Sequence, residues 1–310
     1  MKKQILPVGF YDLIFDEAQQ NHRNINIAID SFLKQKYRLI KTPLVEFAQN
    51  FACDENEKSF QVLDVISGKN LVFRNDITPQ ISRLINTQLK NEKLPIRLCY
   101  FGDVLCMKSE NLYQDRQQTQ VGLELIGTKD EKYDFEIIKN LLTVLEKFKL
   151  ENLLIEFSLP DFFTVFCDEF GIKETAKENL QNAVKQKNIS AIKKIKNADL
   201  ITKIMLSNQP LDKIIAEISH KTKAKKILQQ LQKAQKISQF LQKNFPKIIA
   251  RFDLFGDQNS SYHHGFVFNV FVSNFPYAIA KGGKYKIQQN GFDLDAVGAT
   301  IYMNNLRKIK

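Results

Sequence analysis

The chain of 310 residues is 44% hydrophobic, enough for one large domain and a smaller one around a packed core. No run of about 18 apolar residues occurs, as a bilayer span requires, and Pro7, Gly9 and Asp12 interrupt the amino-terminal segment where a secretion signal is apolar, so a cytoplasmic protein is expected. The net charge of +11 is local: residues 173–247 carry 17 lysines, no arginine and 5 acidic residues, so the excess belongs to one segment.

In chain order, LPVGFYDLIFDEA turns at Pro7 and Gly9 and enters a helix through Ile25, Ile29, Phe32 and Leu33. YRLIKTPLVEF reads as a strand closed by Pro43 and followed by Glu46. FQVLDVISGKNLVF reads as a hairpin with Ser67 and Gly68 at its turn. Arg74-Asn75-Asp76-Ile77-Thr78-Pro79 then opens a helix, with Thr78 as N-cap and Pro79 as first helical residue. Arg97 to Met107 is a mostly apolar strand. After a polar loop, Gln117 to Ile126 alternates Gln118, Gln120, Gly122 and Glu124 against Thr119, Val121, Leu123 and Leu125, the period of a half-buried strand. Amides and a carboxylate projecting from one strand face can grip a small ligand bearing an ammonium or imidazole group; the plain alternative is a solvated face.

Residues 134–148 repeat apolar side chains at helical spacing, LENLLIEFS is a strand, and LPDFFTVFCDEFGI is a short helix stopped by Gly171. From Lys173 to Phe245 there is no glycine and one proline, Pro210, which predicts an all-helical insertion. Its lysines form a solvated outer face or a polyanion-binding surface; lysine without arginine suits the second use poorly, because the planar guanidinium supplies bidentate contacts. Residues 251–285 read as a loop, a hairpin and a turn at Gly282-Gly283, and GFDLDAVGATIYMNNLRKI as a strand followed by a helix. Cys53, Cys99, Cys106 and Cys167 lack CxxC spacing and only four histidines occur, so neither a zinc site nor a disulfide framework is indicated and buried thiols are expected. No GxGxxG or Walker-type loop occurs, and no cofactor or metal is implied.

The strand, polar loop and RQQTQVGLELIG resemble the second signature motif of class II aminoacyl-tRNA synthetases, in the version used by histidyl-tRNA synthetase and its non-catalytic relative, the regulatory subunit of ATP phosphoribosyltransferase. Arg116, Gln117, Gln120, Gly122, Glu124 and Gly127 carry the match. The PxGxxD opening, the segment around Pro43 and Glu46 (the first motif, a dimer interface in that family), the R-x-D-x-T run from Arg74 to Thr78, SSYHHGFVF, AKGGKY and the final strand and helix stand in the family's order. The resemblance implies an α+β fold, a mixed and mainly antiparallel sheet flanked by helices. Residues 1–172 and 248–310 would form the synthetase-like core, 173–247 the helical insertion, with no anticodon-binding domain. It also implies a histidine site: Asp76 for the α-amino group, Thr78 beside it, Arg116, Gln120 and Glu124 from the second motif, Tyr262 and His263 as aromatic walls, and Tyr285 nearby.

Three departures bear on function. Cys106, Gln258 and Asn305 stand where the synthetase carries arginines for the ATP α-phosphate, the carboxylate, and the adenine with the γ-phosphate. Lys286 stands in place of an aspartate. Removing one such group from a preorganised site typically costs about 3 kcal/mol or more, so the resemblance implies a histidine half without an ATP half. The expectation is a catalytically inactive, histidine-sensing subunit of ATP phosphoribosyltransferase, acting in the first step of histidine biosynthesis. It would form a homodimeric core within a hetero-oligomer whose partner is a short-form catalytic subunit. The competing readings are an RNA-binding module that uses the lysine-rich insertion, and a degenerate histidine-activating enzyme in which Arg116 supplies the missing charge.

Overall fold

The computed structural model describes residues 6–50, 59–107, 115–195, 197–206, 211–256, 263–289 and 291–309. The chain divides into two compact units, Met1–Lys149 with Ile287–Lys310, and Leu150–Lys286.

In the first unit, four strands run in the order β1 (Arg38–Ile40), β5 (Ile96–Leu105), β6 (Gln117–Ile126) and β11 (Phe292–Tyr302). β1 lies parallel to β5, and the other pairs are antiparallel. Helices α1 (Phe15–Lys34) and α3 (Lys132–Lys147) pack on this sheet. α1 buries Ala28, Ile29 and Phe32, as its periodicity predicts, whereas Leu33 is left exposed. α3 buries Ile137, Ile138, Leu141, Leu142 and Leu145. A second, antiparallel sheet has the order β2 (Val45–Phe47), β4 (Asn70–Phe73), β3 (Gln61–Leu63), and α2 (Thr78–Asn86) follows it. The strand expected before Pro43 is present as β1, and a further strand, β2, follows Pro43 in a different sheet. Pro43, with fixed φ and no N–H to donate, lies in the crossing between them. The predicted hairpin is present: Gly68 takes φ +68°, and the Asp64 carboxylate accepts the N–H groups of Ile66 at 3.2 Å and Ser67 at 3.3 Å.

In the second unit, β10 (Phe275–Gln289, of which residues 275–286 belong here) pairs antiparallel with β9 (His263–Val272), β9 with β7 (Leu153–Ser158), and β7 lies parallel to β8 (Ile249–Asp253). The crossover from β7 to β8 holds α4 (Phe162–Glu169), α5 (Glu174–Lys185), α6 (Ile189–Ile192), α7 (Ala198–Met205), α8 (Leu211–Lys221) and α9 (Lys225–Asn244). The helices of residues 173–247 bury Leu180, Ile192, Leu200, Ile201, Ile218 and Leu231 while most of their lysines are exposed. Lys177 is an exception, paired with Asp168 at 2.8 Å and Glu174 at 2.9 Å. Phe162, Phe163 and Phe166 of α4 pack around Phe255.

Two local expectations fail here. Residues 251–253, expected in a loop, belong to β8, and Gly282-Gly283 is not a turn but lies inside β10 opposite Phe268 and Val267. A Cβ at Gly283 would come within 2.8 Å of the Phe266 carbonyl oxygen, so close approach in the ladder requires that glycine. The mixed, mainly antiparallel sheet flanked by helices is as expected. No helix among the described residues is long and apolar enough to cross a membrane.

Candidate ligand site

The floor of the site is formed by three adjacent strands of the first unit, and their register sets what stands on it. Tyr100 of β5 and Thr300 of β11 both lie opposite Gly122 of β6. Their hydroxyls meet at 2.7 Å. Glu124 lies opposite Gly298 of β11, and Gln120 opposite Gly102 of β5. Each glycine makes room for a long neighbour. A Cβ at Gly122 would overlap the Tyr100 phenol, one at Gly102 the Arg74 guanidinium, and one at Gly298 the Glu124 carboxylate.

The link between β4 and α2 covers this floor. Thr78 Oγ1 donates to Glu124 Oε1 at 3.3 Å, and the Ile77 N–H donates to Gln120 Oε1 at 3.3 Å. Thr78 is the first residue of α2, with Ile77 at the cap position and no side-chain cap bond. The hydroxyl expected to cap the helix thus serves Glu124. β6 is not the half-buried strand its alternation predicts: every residue from Gln120 to Ile126 is buried, with Gln120 3% and Glu124 2% exposed. The polar face is covered by the Tyr100 ring and by the link, which periodicity along β6 cannot register.

Burial pushes the Tyr100 phenol well above the ordinary tyrosine range, the charges of Glu124 and Asp76 push the same way, and hydrogen bonds with Thr300 and Thr78 oppose them. Tyr100 is thereby held as a neutral hydrogen-bonding group. Burial also lowers the pKa of Arg74, against the opposing charges of Asp103, Asp76 and Glu46. Two carboxylates, one amide and the hydroxyls of Thr78 and Tyr100 around a desolvated floor suit a small cation rich in N–H donors.

The other expected residues that are described are Arg116, Asp76, His263 and Tyr285. The Arg116 guanidinium sits over Phe60 at 4.7 Å and Phe10 at 5.5 Å, and its Nε donates to the Cys106 carbonyl at 3.4 Å, tying the amino-terminal turn to β5. Asp76 is half-buried in the link. In the second unit, His263 begins β9 opposite Tyr285 of β10, and Tyr285 is buried. Tyr262 and Gln258 lie outside the described residues, as does Cys53.

Of the other cysteines, Cys99 and Cys167 are buried, but Cys106 is only half-buried, just past the end of β5, where it bridges Ser59 and its N–H donates to the Arg116 carbonyl at 2.8 Å. Asn305 is buried in α10 (Met303–Arg307). Next to it, the buried Asp115 accepts Lys308 Nζ at 2.7 Å and Asn304 Nδ2 at 2.8 Å. Sequence reasoning missed Tyr100, Thr300 and Gly298, and took Arg74 only as the first residue of its motif. Their available signal was glycine inside predicted strands, which marks close approach.

A sheet of this topology with a carboxylate-bearing floor defines a class II synthetase core, and the family described as histidyl-tRNA synthetase matches residues 9–306. The chain belongs to that family. The ATP phosphoribosyltransferase regulatory subunit of Caldanaerobacter subterraneus subsp. tengcongensis is 30% identical over 96% of this chain and 80% of that protein. Within the family, the chain belongs with the regulatory subunits of ATP phosphoribosyltransferase. A solved structure from Bacillus halodurans, described as an ATP phosphoribosyltransferase regulatory subunit/histidyl-tRNA synthetase, shares the fold with a TM-score of 0.83 at 20% identity, covering 99% of this chain and 83% of that one. An ATP phosphoribosyl transferase complex from Thermotoga maritima contains a chain with a TM-score of 0.70 at 19% identity, covering 91% and 97%.

Proposed function

We propose that this chain is a histidine-binding, catalytically inactive regulatory subunit that assembles with a short-form ATP phosphoribosyltransferase catalytic subunit in the cytoplasm. The observation that carries the reading is the Glu124 carboxylate, withdrawn from water to 2% exposure and held at Thr78 over a glycine floor. A buried anion of this kind favours a ligand that brings positive charge and N–H donors. The α-ammonium of histidine would meet Asp76, and its imidazole would meet Glu124 and Gln120. For Tyr262, His263, Tyr285 and Arg116 a ligand role rests on the resemblance of their motifs alone. Residues 1–172 and 248–310 would act as the synthetase-like core, and 173–247 as its insertion.

The residues at the nucleotide positions of the motifs support the reading of inactivity. Cys106 and Asn305 carry no charge to neutralise a developing phosphate, nor does Gln258. A subunit that has a pocket and no chemistry acts only through linkage: histidine must bind the active and inhibited assemblies with different affinity, a coupling typically of about 1 to 3 kcal/mol. The test mixes the chain with a short-form catalytic subunit and follows size-exclusion with light scattering, then turnover. A hetero-oligomer built on a dimeric core is expected, faster than the catalytic subunit alone and slowed by histidine. The double variant Asp76→Ala, Glu124→Ala should assemble and activate while losing the histidine response. Absence of a complex at micromolar concentration overturns the assignment, and histidine-dependent exchange of pyrophosphate with ATP overturns the inactivity.

A further inference from the structure

Asp76 and Thr78 stand on a link clamped at both ends to one short stretch of chain, Thr42 to Glu46. Upstream, Arg74 directly follows β4. Its guanidinium donates to Thr42 Oγ1 at 2.7 Å and Thr42 O at 3.1 Å, and its Nε donates to Asp103 O at 2.7 Å. Downstream, Gln80 in the first turn of α2 accepts from Arg74 at 3.2 Å and donates to Pro43 O at 2.7 Å and to Glu46 Oε1 at 3.0 Å. One turn further, Arg83 closes on Glu46 from Nε at 2.9 Å and from its terminal nitrogen at 2.8 Å.

Arg74, Gln80 and Glu46 are 5%, 0% and 9% exposed, so these bonds form in low dielectric and are not exchanged cheaply for water. Glu46 belongs to β2, which pairs with β4 from Val45–Phe73 to Phe47–Leu71. A pull on Asp76 or Thr78 therefore cannot be absorbed within the link. It moves Arg74 or α2, and both are fixed to the edge of the small sheet. That sheet ends in a hairpin whose tip holds Val65 and Ile66 88% and 94% exposed, so a displacement at the ligand is carried to the surface.

We propose that Glu46, Gln80 and Arg83 are positioning residues for the histidine site and relay occupancy at Asp76 and Thr78 to the sheet β2–β4–β3. The proposal rests on the histidine reading of that site. It differs from a merely structural clamp because the small sheet, which makes none of the proposed ligand contacts, must change its exchange behaviour when ligand binds.

The experiment is hydrogen–deuterium exchange of the full chain with and without saturating L-histidine, together with calorimetry. In the wild type, histidine should slow exchange across residues 74–82 and also across 45–47 and 61–73. Glu46→Gln, which keeps volume and loses charge, should bind histidine about fivefold more weakly or worse and lose the protection of 45–47 and 61–73 while retaining that of 74–82. Arg83→Lys, which keeps charge and loses the planar fork, reads out the same step if Glu46→Gln does not fold. Val62→Ala lies on β3, separated from Glu46 by β4, and leaves the clamp in place; it should keep histidine affinity within about twofold. Wild-type protection confined to 74–82 overturns the relay, as does a Glu46→Gln protein with unchanged affinity and protection. A wild type that binds no histidine overturns the underlying reading instead, which the calorimetry shows separately.

Discussion

Replacing Gly298 with alanine adds one methyl group and should disable the ligand site while leaving every polar group of it present. The new Cβ would overlap Glu124 Oε2 and lie 2.7 Å from Oε1. β11 cannot withdraw, because it is held in register with β6 from Ala296–Ile126 to Tyr302–Gln120. The carboxylate must therefore turn off its position at Thr78. Overpacking of this sort costs about 1–3 kcal/mol. For a unit of this size each kcal/mol shifts the thermal midpoint by roughly 2–4 °C, so the variant should melt several degrees lower and remain folded at 25 °C. Losing one charge-assisted contact costs about 1.5–3 kcal/mol, which weakens histidine binding roughly ten- to a hundredfold. Calorimetry on both proteins, with a circular-dichroism melt to confirm the fold, decides it. Wild-type affinity in folded Gly298→Ala would mean that the ligand does not use Glu124 where it now stands, and the argument from the floor would fall.

Glu124→Ala removes the charge itself and should weaken histidine binding by the same roughly ten- to a hundredfold, read by calorimetry. Tyr100→Phe strips the buried Thr300 hydroxyl of a partner at 2.7 Å and should destabilise the chain by about 1–3 kcal/mol in a denaturant titration. Burial pushes the Cys99 thiol up from its ordinary 9.0 to about 12. The native state then keeps a proton that the unfolded chain releases, so stability should fall as pH rises through that interval. Cys99→Ala should make the decline shallower; an unchanged slope would remove Cys99 as a cause.

What the sequence made legible was local. β6 was bounded at Gln117 and Ile126 because its alternation is unbroken, and Glu124 and Gln120 stood out on one face of it. Gly282-Gly283 misled for the same reason: a glycine pair is a strong turn signal, and the crowding by the Phe266 carbonyl that requires Gly283 comes from another strand. Thr78 likewise satisfies a local capping rule that a partner 46 residues away displaces. Tyr100 counted as one more aromatic in an apolar strand until register placed it opposite Gly122; a slip by one residue would turn it to the other face. The failure of the half-buried expectation has the largest chemical consequence. A carboxylate on a solvated strand face holds an ammonium weakly, because both ions are already well hydrated and the pair is screened. Covered by the Tyr100 ring and by the link from Arg74 to Gln80, the same carboxylate would meet a ligand in low dielectric, where each N–H bond to it is stronger and an ill-fitting ligand costs more. The covering elements, remote from β6 in sequence, are what would turn a polar strand face into the selective site proposed above.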